Sequence, residues 1–127
     1  MARSTASRAI RFHVKAGAWQ GSLANVFVSP AATGRSVSPN PPNLAPGIGA
    51  ADYLSMVVIF NLFDVPLTAY PAGYTDNQRR TAATPRHWSL AAATRGLSGA
   101  TAADPATATL SAGVEWIAFT ILIPPAT

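Results

Sequence analysis

Eleven prolines and nine glycines punctuate the chain at short intervals. Proline removes a backbone donor and fixes φ, and glycine weakens the interior of either regular element, so long helices have little room. The runs between them are short and rich in β-branched and aromatic residues. That is the pattern of strands separated by turn clusters. It predicts an all-β fold, a single antiparallel β-sandwich of seven or so strands. At 127 residues the chain suits one domain and can bury a core without staples. No internal repeat is visible.

The strands can be placed by their periodicity. Residues 8–15, "RAIRFHVK", alternate cleanly, with Ile10, Phe12 and Val14 on one side and Arg11, His13 and Lys15 on the other. This reads as a half-buried strand with a basic outer face. Residues 22–29 form a second candidate. Residues 30–50 hold Pro30, Pro39, Pro41, Pro42 and Pro46 and cannot be regular sheet throughout. They read as an extended loop with a short edge strand near 35–38, and a loop of that length is either functional or pinned by a neighbour.

Residues 51–63 make a strong strand, apolar on both faces from Met56 to Phe60. The stretch "DVPLTAYPAGYTD" reads as turn chemistry. One strand is expected over residues 87–94, with Trp88, Leu90 and Ala92 on a shared face and an alanine-rich helix over 89–95 as the competing reading. A further strand is expected over 106–111.

The last strand spans 114–123. Its two faces, Val114, Trp116, Ala118, Thr120 and Leu122 against Ile117, Phe119, Ile121 and Ile123, are both apolar. In a two-layer sandwich only one of them meets the opposite sheet. The other needs cover from the N-terminal segment, the Pro-rich loop or another subunit. Pro124 and Pro125 then end the strand. The expected organisation is a basic arm or first strand over residues 1–15, then a β-sandwich domain over 16–127 that carries the Pro-rich loop at 30–50.

Charge is sparse and unevenly laid out. Charged residues are 11% of the chain, against about 25% in typical domains. A surface so poor in charge fits cover by another subunit, or a small inert Ala/Thr/Ser-rich exterior. Arg3, Arg8, Arg11, Lys15 and Arg35 all precede the first acid, Asp52. This basic front half is a candidate docking arm for an acidic surface, the alternative being solvated arginines on a first strand.

Several classes of chemistry find no support. The chain has no cysteine, so neither a disulfide framework nor a thiolate metal site can form. Its two histidines, His13 and His87, lack metal-ligand spacing, and no metal or cofactor is expected. The five acids are spread singly, no GxSxG elbow is present, and no catalytic residue is assigned. Nucleic acid is not an expected partner: no recognition motif appears, and Phe12 lies opposite the arginines of its strand. No run reaches the roughly 18–20 apolar residues of a spanning helix, and no apolar stretch follows the basic start as in an export signal. Membrane insertion is therefore not expected. Trp19, Tyr70 and Tyr74 lie in turn contexts and are candidates for stacking on a host-surface glycan.

Four stretches carry a family resemblance. "PGIGAADYLSMVVIF" resembles a strand entry of phage structural β-sandwich domains, and "YPAGYTD" resembles the Pro-x-Gly-aromatic-Thr turn that follows it there. "WSLAAATRG" stands at the place of the next long strand. "DPATATLSAGVEWIAFTILIPPA" is similar to the final pair of strands. Their order and spacing agree over residues 46–126. The chain departs from the pattern in Ala51 for the usual glycine, in Tyr53 ahead of the apolar run, and in Tyr74 for the commoner tryptophan; residues 1–45 lie outside it.

The family is the jelly-roll-like β-sandwich of bacteriophage minor tail, fibre and related virion proteins. The resemblance implies a non-enzymatic virion structural protein, of tail, fibre or capsid-decoration type. Such a protein assembles in the host cytoplasm, and its partners are other virion proteins and copies of itself. The alternative is a carbohydrate-binding module for receptor recognition.

Overall fold

The computed structural model describes residues 9–19, 21–82 and 88–126. Their fold is all-β, antiparallel and sandwich-like. A 3-10 turn at Leu23–Asn25 precedes eight strands: β1 (Phe27–Val28), β2 (Ala32–Ser36), β3 (Leu54–Leu62), β4 (Leu67–Ala69), β5 (Thr75–Ala82), β6 (Trp88–Gly96), β7 (Thr109–Leu110) and β8 (Val114–Ile123). Six of them form one sheet in the order β1–β8–β3–β6–β5, with β2 following β1 along the same side of β8. The two strands with doubly apolar patterns, β3 and β8, lie beside each other at its centre, Ile59 opposite Ala118.

Both ends of the sheet are built to stop pairing. At one edge β1 and β2 are separated by Pro30, which cannot donate. Ser29 closes the interruption: its N–H donates to the Thr120 carbonyl at 2.8 Å, and its Oγ accepts from the Thr120 N–H at 2.9 Å. At the other edge β5 carries Arg79 and Arg80 and a register shift between Thr75 and Gln78. Charge and irregularity on an edge both discourage further strand addition.

The second layer is mostly not sheet. Strands β4 and β7 form a two-stranded ribbon, and the Pro-rich segment runs beside it. The segment is pinned within its own chain. Leu110 N–H donates to Val37 O at 2.7 Å, Ala108 N–H to Pro39 O at 2.8 Å, and Leu44 exchanges two backbone bonds with Ala103. Pro39 and Pro41 are fully buried.

Under this layer lie two main clusters. One gathers Ile59, Leu110, Val114, Trp116 and Ala118; the other gathers Tyr53, Ala103 and Leu122. The indole of Trp116 crosses β2 over Gly34 and donates to Ser36 Oγ at 3.2 Å. A methyl group on Gly34 would come within 2.6 Å of that ring, so this position admits only glycine without rearrangement.

Several expectations need correction. Residues 9–15 keep the predicted alternation of burial but form no strand, because they lie on the face of the sheet, where no free backbone groups are offered. The edge strand of the Pro-rich segment is Ala32–Ser36 and not 35–38. The stretch read as turn contains β4, and β5 was not expected, since "TDNQRRTA" has no apolar alternation. Neither row of β5 is well buried, only Ala82 being fully so, and no apolar row is therefore required. The strand expected at 106–111 shrinks to Thr109–Leu110. The alanine-rich stretch is strand β6, not helix, and its Ala91 and Ala93 are buried against the second layer. The start of that strand at His87 falls outside the described residues.

Candidate functional site

The sheet has an inner face, beneath the second layer, and an outer face. Alternation in β3 and β8 sends Leu54, Met56, Val58, Phe60 and Leu62 outward, with Ile117, Phe119, Ile121 and Ile123 beside them. Strand β6 adds Trp88, Leu90 and Ala92. Among the described residues this face is apolar along the three central strands except for Glu115 on β8 and Thr94 on β6.

The N-terminal segment covers one end of it. Ile10 and Phe12 meet Met56, Val58, Leu90 and Ala92. Phe12 and Val14, with Trp19 and Val26, flank Met56, Ile121 and Ile123 around a cavity of about 410 Å³. Ala92 and Thr94 are buried there, at 4% and 7% exposure, although both point outward. The segment is tied down at its far end, where Trp19 bridges to Pro125 and the Ala126 N–H donates to Ala18 O at 3.2 Å. The second face of β8 is thus covered at its Ile123 end by this chain's own N-terminal segment.

The other end is open. Leu62 is 39% exposed and Ile117 41%. With Phe60 they floor a shallow depression of about 410 Å³, rimmed by Thr33, Arg35 and Glu115. The Phe60 ring leans on Trp88 with centroids 5.7 Å apart. Fully burying one such side chain from water is worth about 1.5–3 kcal/mol, and at 39% and 41% exposure Leu62 and Ile117 each have roughly 1 kcal/mol of that left to gain. Across the rim, Arg35 and Glu115 are direct cross-strand partners, with Nε and Oε1 3.5 Å apart and both side chains mostly exposed.

Beside this open end the chain turns sharply through Phe63, which is 56% exposed and has φ of 62°. A bulky residue in the left-handed region is strained and persists only where its surroundings hold it. Here the inner face does so. Asn61 Nδ2 donates to Leu62 O at 3.0 Å and to Val65 O at 3.1 Å, and Ser89 Oγ donates to Phe63 O at 3.1 Å. Arg79 pairs with Asp64 and also donates to Ser89 Oγ.

Comparison with known proteins finds no matching family model, no significantly similar curated protein and no significantly similar solved structure.

The basic residues singled out in the sequence do not converge. Arg3 and Arg8 lie outside the described residues. Arg11 and Lys15 are exposed on the N-terminal segment, near the Ile123 end of the outer face. Arg35 sits at the Glu115 end, eight positions away along β8, or roughly 27 Å at the strand rise.

The three ring candidates for glycan stacking do not form one platform either. Tyr74 is only 7% exposed, packed on Val57 and Ala93, with its hydroxyl 2.6 Å from Ser55 Oγ. A ring used in the core has no face to offer a sugar, so Tyr74 leaves the set. Tyr70 is half-buried beside it and donates to Gln78 O at 3.3 Å. Trp19 lies across the sheet from both, on the outer face. Burial raises the pKa of both tyrosine hydroxyls, opposed by the Ser55 hydrogen bond and Arg95 at Tyr74, and by Arg79 at Tyr70.

Among the described residues no group of three or more His, Asp or Glu side chains could hold a metal. None of the described helices is long and apolar enough to cross a membrane. Sequence reasoning named the outward rows of β3 and β8 but missed which end stays open. The exposed pair at the rim, Arg35 and Glu115, was also missed; no local signal marks residues 80 positions apart as neighbours.

Proposed function

We propose that this chain is a structural protein of a bacteriophage virion that assembles in multiple copies through its own surface. The observation that carries the reading is the apolar outer face, covered at one end by the N-terminal segment and open at the other. An uncovered apolar face on a sheet is a surface for association rather than for catalysis. The scarcity of charge and the resemblance over residues 46–126 support the same reading and supply the virion setting. Tail, fibre and capsid-decoration roles share this chemistry. Arg11 and Lys15, exposed on the segment that clamps the face, are the residues offered to an acidic neighbour in the particle.

The test is made on particles. Mass spectrometry and electron cryo-microscopy of virions from cells encoding the chain should find it in many symmetry-related copies. Its absence from purified particles would overturn the reading. Replacing Arg11 and Lys15 by glutamate should lower incorporation while leaving the circular dichroism of the isolated chain unchanged. Deleting residues 1–15 is a less clean experiment, because it also uncovers Met56, Val58 and Ala92.

A further inference from the structure

The N-terminal segment carries an unused edge across the outer face. Burial of residues 9–15 alternates as in an extended chain, with Ile10, Phe12 and Val14 toward the sheet and Arg11, His13 and Lys15 exposed. Yet among the described residues no backbone N–H or C=O of residues 9–14 bonds another backbone group. The segment rests on side chains, so its own row of donors and acceptors has no ladder partner. Such a row is a template for a further strand. Beside it runs the cavity of about 410 Å³. Four consecutive residues, Arg11 to Val14, line that cavity, which places it along the edge of the segment. Its floor is Met56, Ile121 and Ile123, and Trp19 and Val26 complete its walls. The exposed side of the segment is basic, and among the described residues neither Arg11 nor Lys15 pairs with an acid.

From these three observations we infer that the groove beside residues 11–14 takes an extended peptide segment of a partner protein, one that alternates apolar and acidic residues. The peptide adds to the free edge by backbone hydrogen bonds, as a strand adds to a sheet. It lies over β8, about 4.8 Å from the N-terminal segment. Its apolar row faces Met56, Ile121 and Ile123. Its acidic row faces outward beside Arg11 and Lys15, where opposite charges on neighbouring strands attract. Each feature excludes a different occupant. A small apolar acid would leave the backbone row unpaired, and a basic strand would repel the two cations. A uniformly acidic strand would set charge on the apolar floor. No stretch of these 127 residues alternates apolar and acidic side chains, so the peptide belongs to another protein and not to a second copy. The inference gives a form to the acidic neighbour of the assembly reading, on which it rests.

The test uses the full chain and synthetic peptides. A labelled eight-residue peptide that alternates valine and glutamate should bind, read by fluorescence anisotropy. On binding, alternate amides among residues 11–14 should exchange with solvent about tenfold or more slowly by NMR, because only every second N–H faces the groove. A peptide that alternates valine and lysine should bind about tenfold or more weakly, since it sets like charges together. So should a block peptide of four glutamates followed by four valines. In R11E/K15E, changed only on the exposed side of the segment, circular dichroism should stay the same and the order of the two alternating peptides should reverse. The inference is overturned by an absence of binding at ~1 mM of the valine–glutamate peptide, where even a weak site would show. It is overturned equally by a block peptide that binds as well, by unchanged exchange at residues 11–14, or by a variant that keeps the wild-type order.

These measurements need no particles. The expected binding pattern in a chain that never enters virions would sink only the virion reading. A chain found in particles whose groove ignores the alternating peptide would sink only the peptide site.

Discussion

The two faces of the six-stranded sheet are built on opposite rules. The inner face is the better buried, yet it holds the smaller and more polar residues: Ser55, Asn61, Ser89 and Thr120 beside Ala91, Ala93 and Ala118. The inner rows also hold Val57, Ile59, Trp116 and Leu122, but the outer rows of β3 and β8 are almost wholly large and apolar and are the less completely covered. Burial alone would leave no place for the polar residues on the inner face. The difference follows from what covers each face. The inner face meets irregular backbone, whose carbonyls must be satisfied once water is excluded. Thr120 Oγ1 donates to Pro42 O at 2.7 Å, and Asn61 and Ser89 serve the turn after β3 in the same way. Among the described residues no side chain of the outer rows hydrogen-bonds the N-terminal segment that covers them, and apolar residues suffice there.

If this contrast is right, the largest effect should come from the inner face. Asn61→Ala removes two hydrogen bonds, leaves the Leu62 and Val65 carbonyls without their donor and opens a void. It should cost about 3 kcal/mol in urea unfolding of the isolated chain. A loss below 1 kcal/mol would mean that solvent reaches this turn.

Tyr74→Phe comes next, at about 1–2 kcal/mol, because Ser55 Oγ loses its partner in a dry setting. The same variant sharpens the comparison through pH. The buried Tyr74 hydroxyl has a pKa raised above its ordinary 10.0. The unfolded chain therefore loses this proton first. Stability should be fully present below pH 10 and should fall as pH rises through the higher folded value. Thermal melts of the wild type should drop across that range, and Tyr74→Phe should drop less, Tyr70 retaining its share.

Phe63→Asn should act in the opposite direction. Asparagine tolerates the left-handed backbone that Phe63 is forced to adopt, and the lost ring is already exposed. A gain of about 1 kcal/mol in urea unfolding is expected. No gain would place the strain elsewhere.

The smallest effect belongs to the open end of the outer face. Ile117→Ser should change the stability of the separated chain by about 0.5 kcal/mol or less, as at other exposed sites. A loss of 2 kcal/mol or more, measured at a concentration where the chain is monomeric, would mean that the face is covered within one copy.

Much of this was legible along the chain. The bounds of β8 and its two rows of side chains follow from alternation within residues 114–123, and β3 and β6 were placed within a few residues for the same reason. Alternation is a local property, set by the two-residue repeat of the strand. For that reason residues 9–15 were misread as a strand: Ile10, Phe12 and Val14 alternate as a strand would, but pairing is decided by a partner elsewhere in the chain. The polar β5 escaped notice because an edge needs little apolar surface.

The sequence by itself determined the all-β class, the central strands and the presence of two apolar faces where a two-layer fold covers one. Only the tertiary structure decided that the Pro-rich segment joins the β4–β7 ribbon in the second layer, that Tyr74 is core, and that the N-terminal segment covers the Ile123 end while the Ile117 end stays open. The physical reason is range. Side-chain period is written into neighbouring residues, whereas cover depends on which distant segments meet, such as Arg35 and Glu115, Thr120 and Pro42, or Phe12 and Met56.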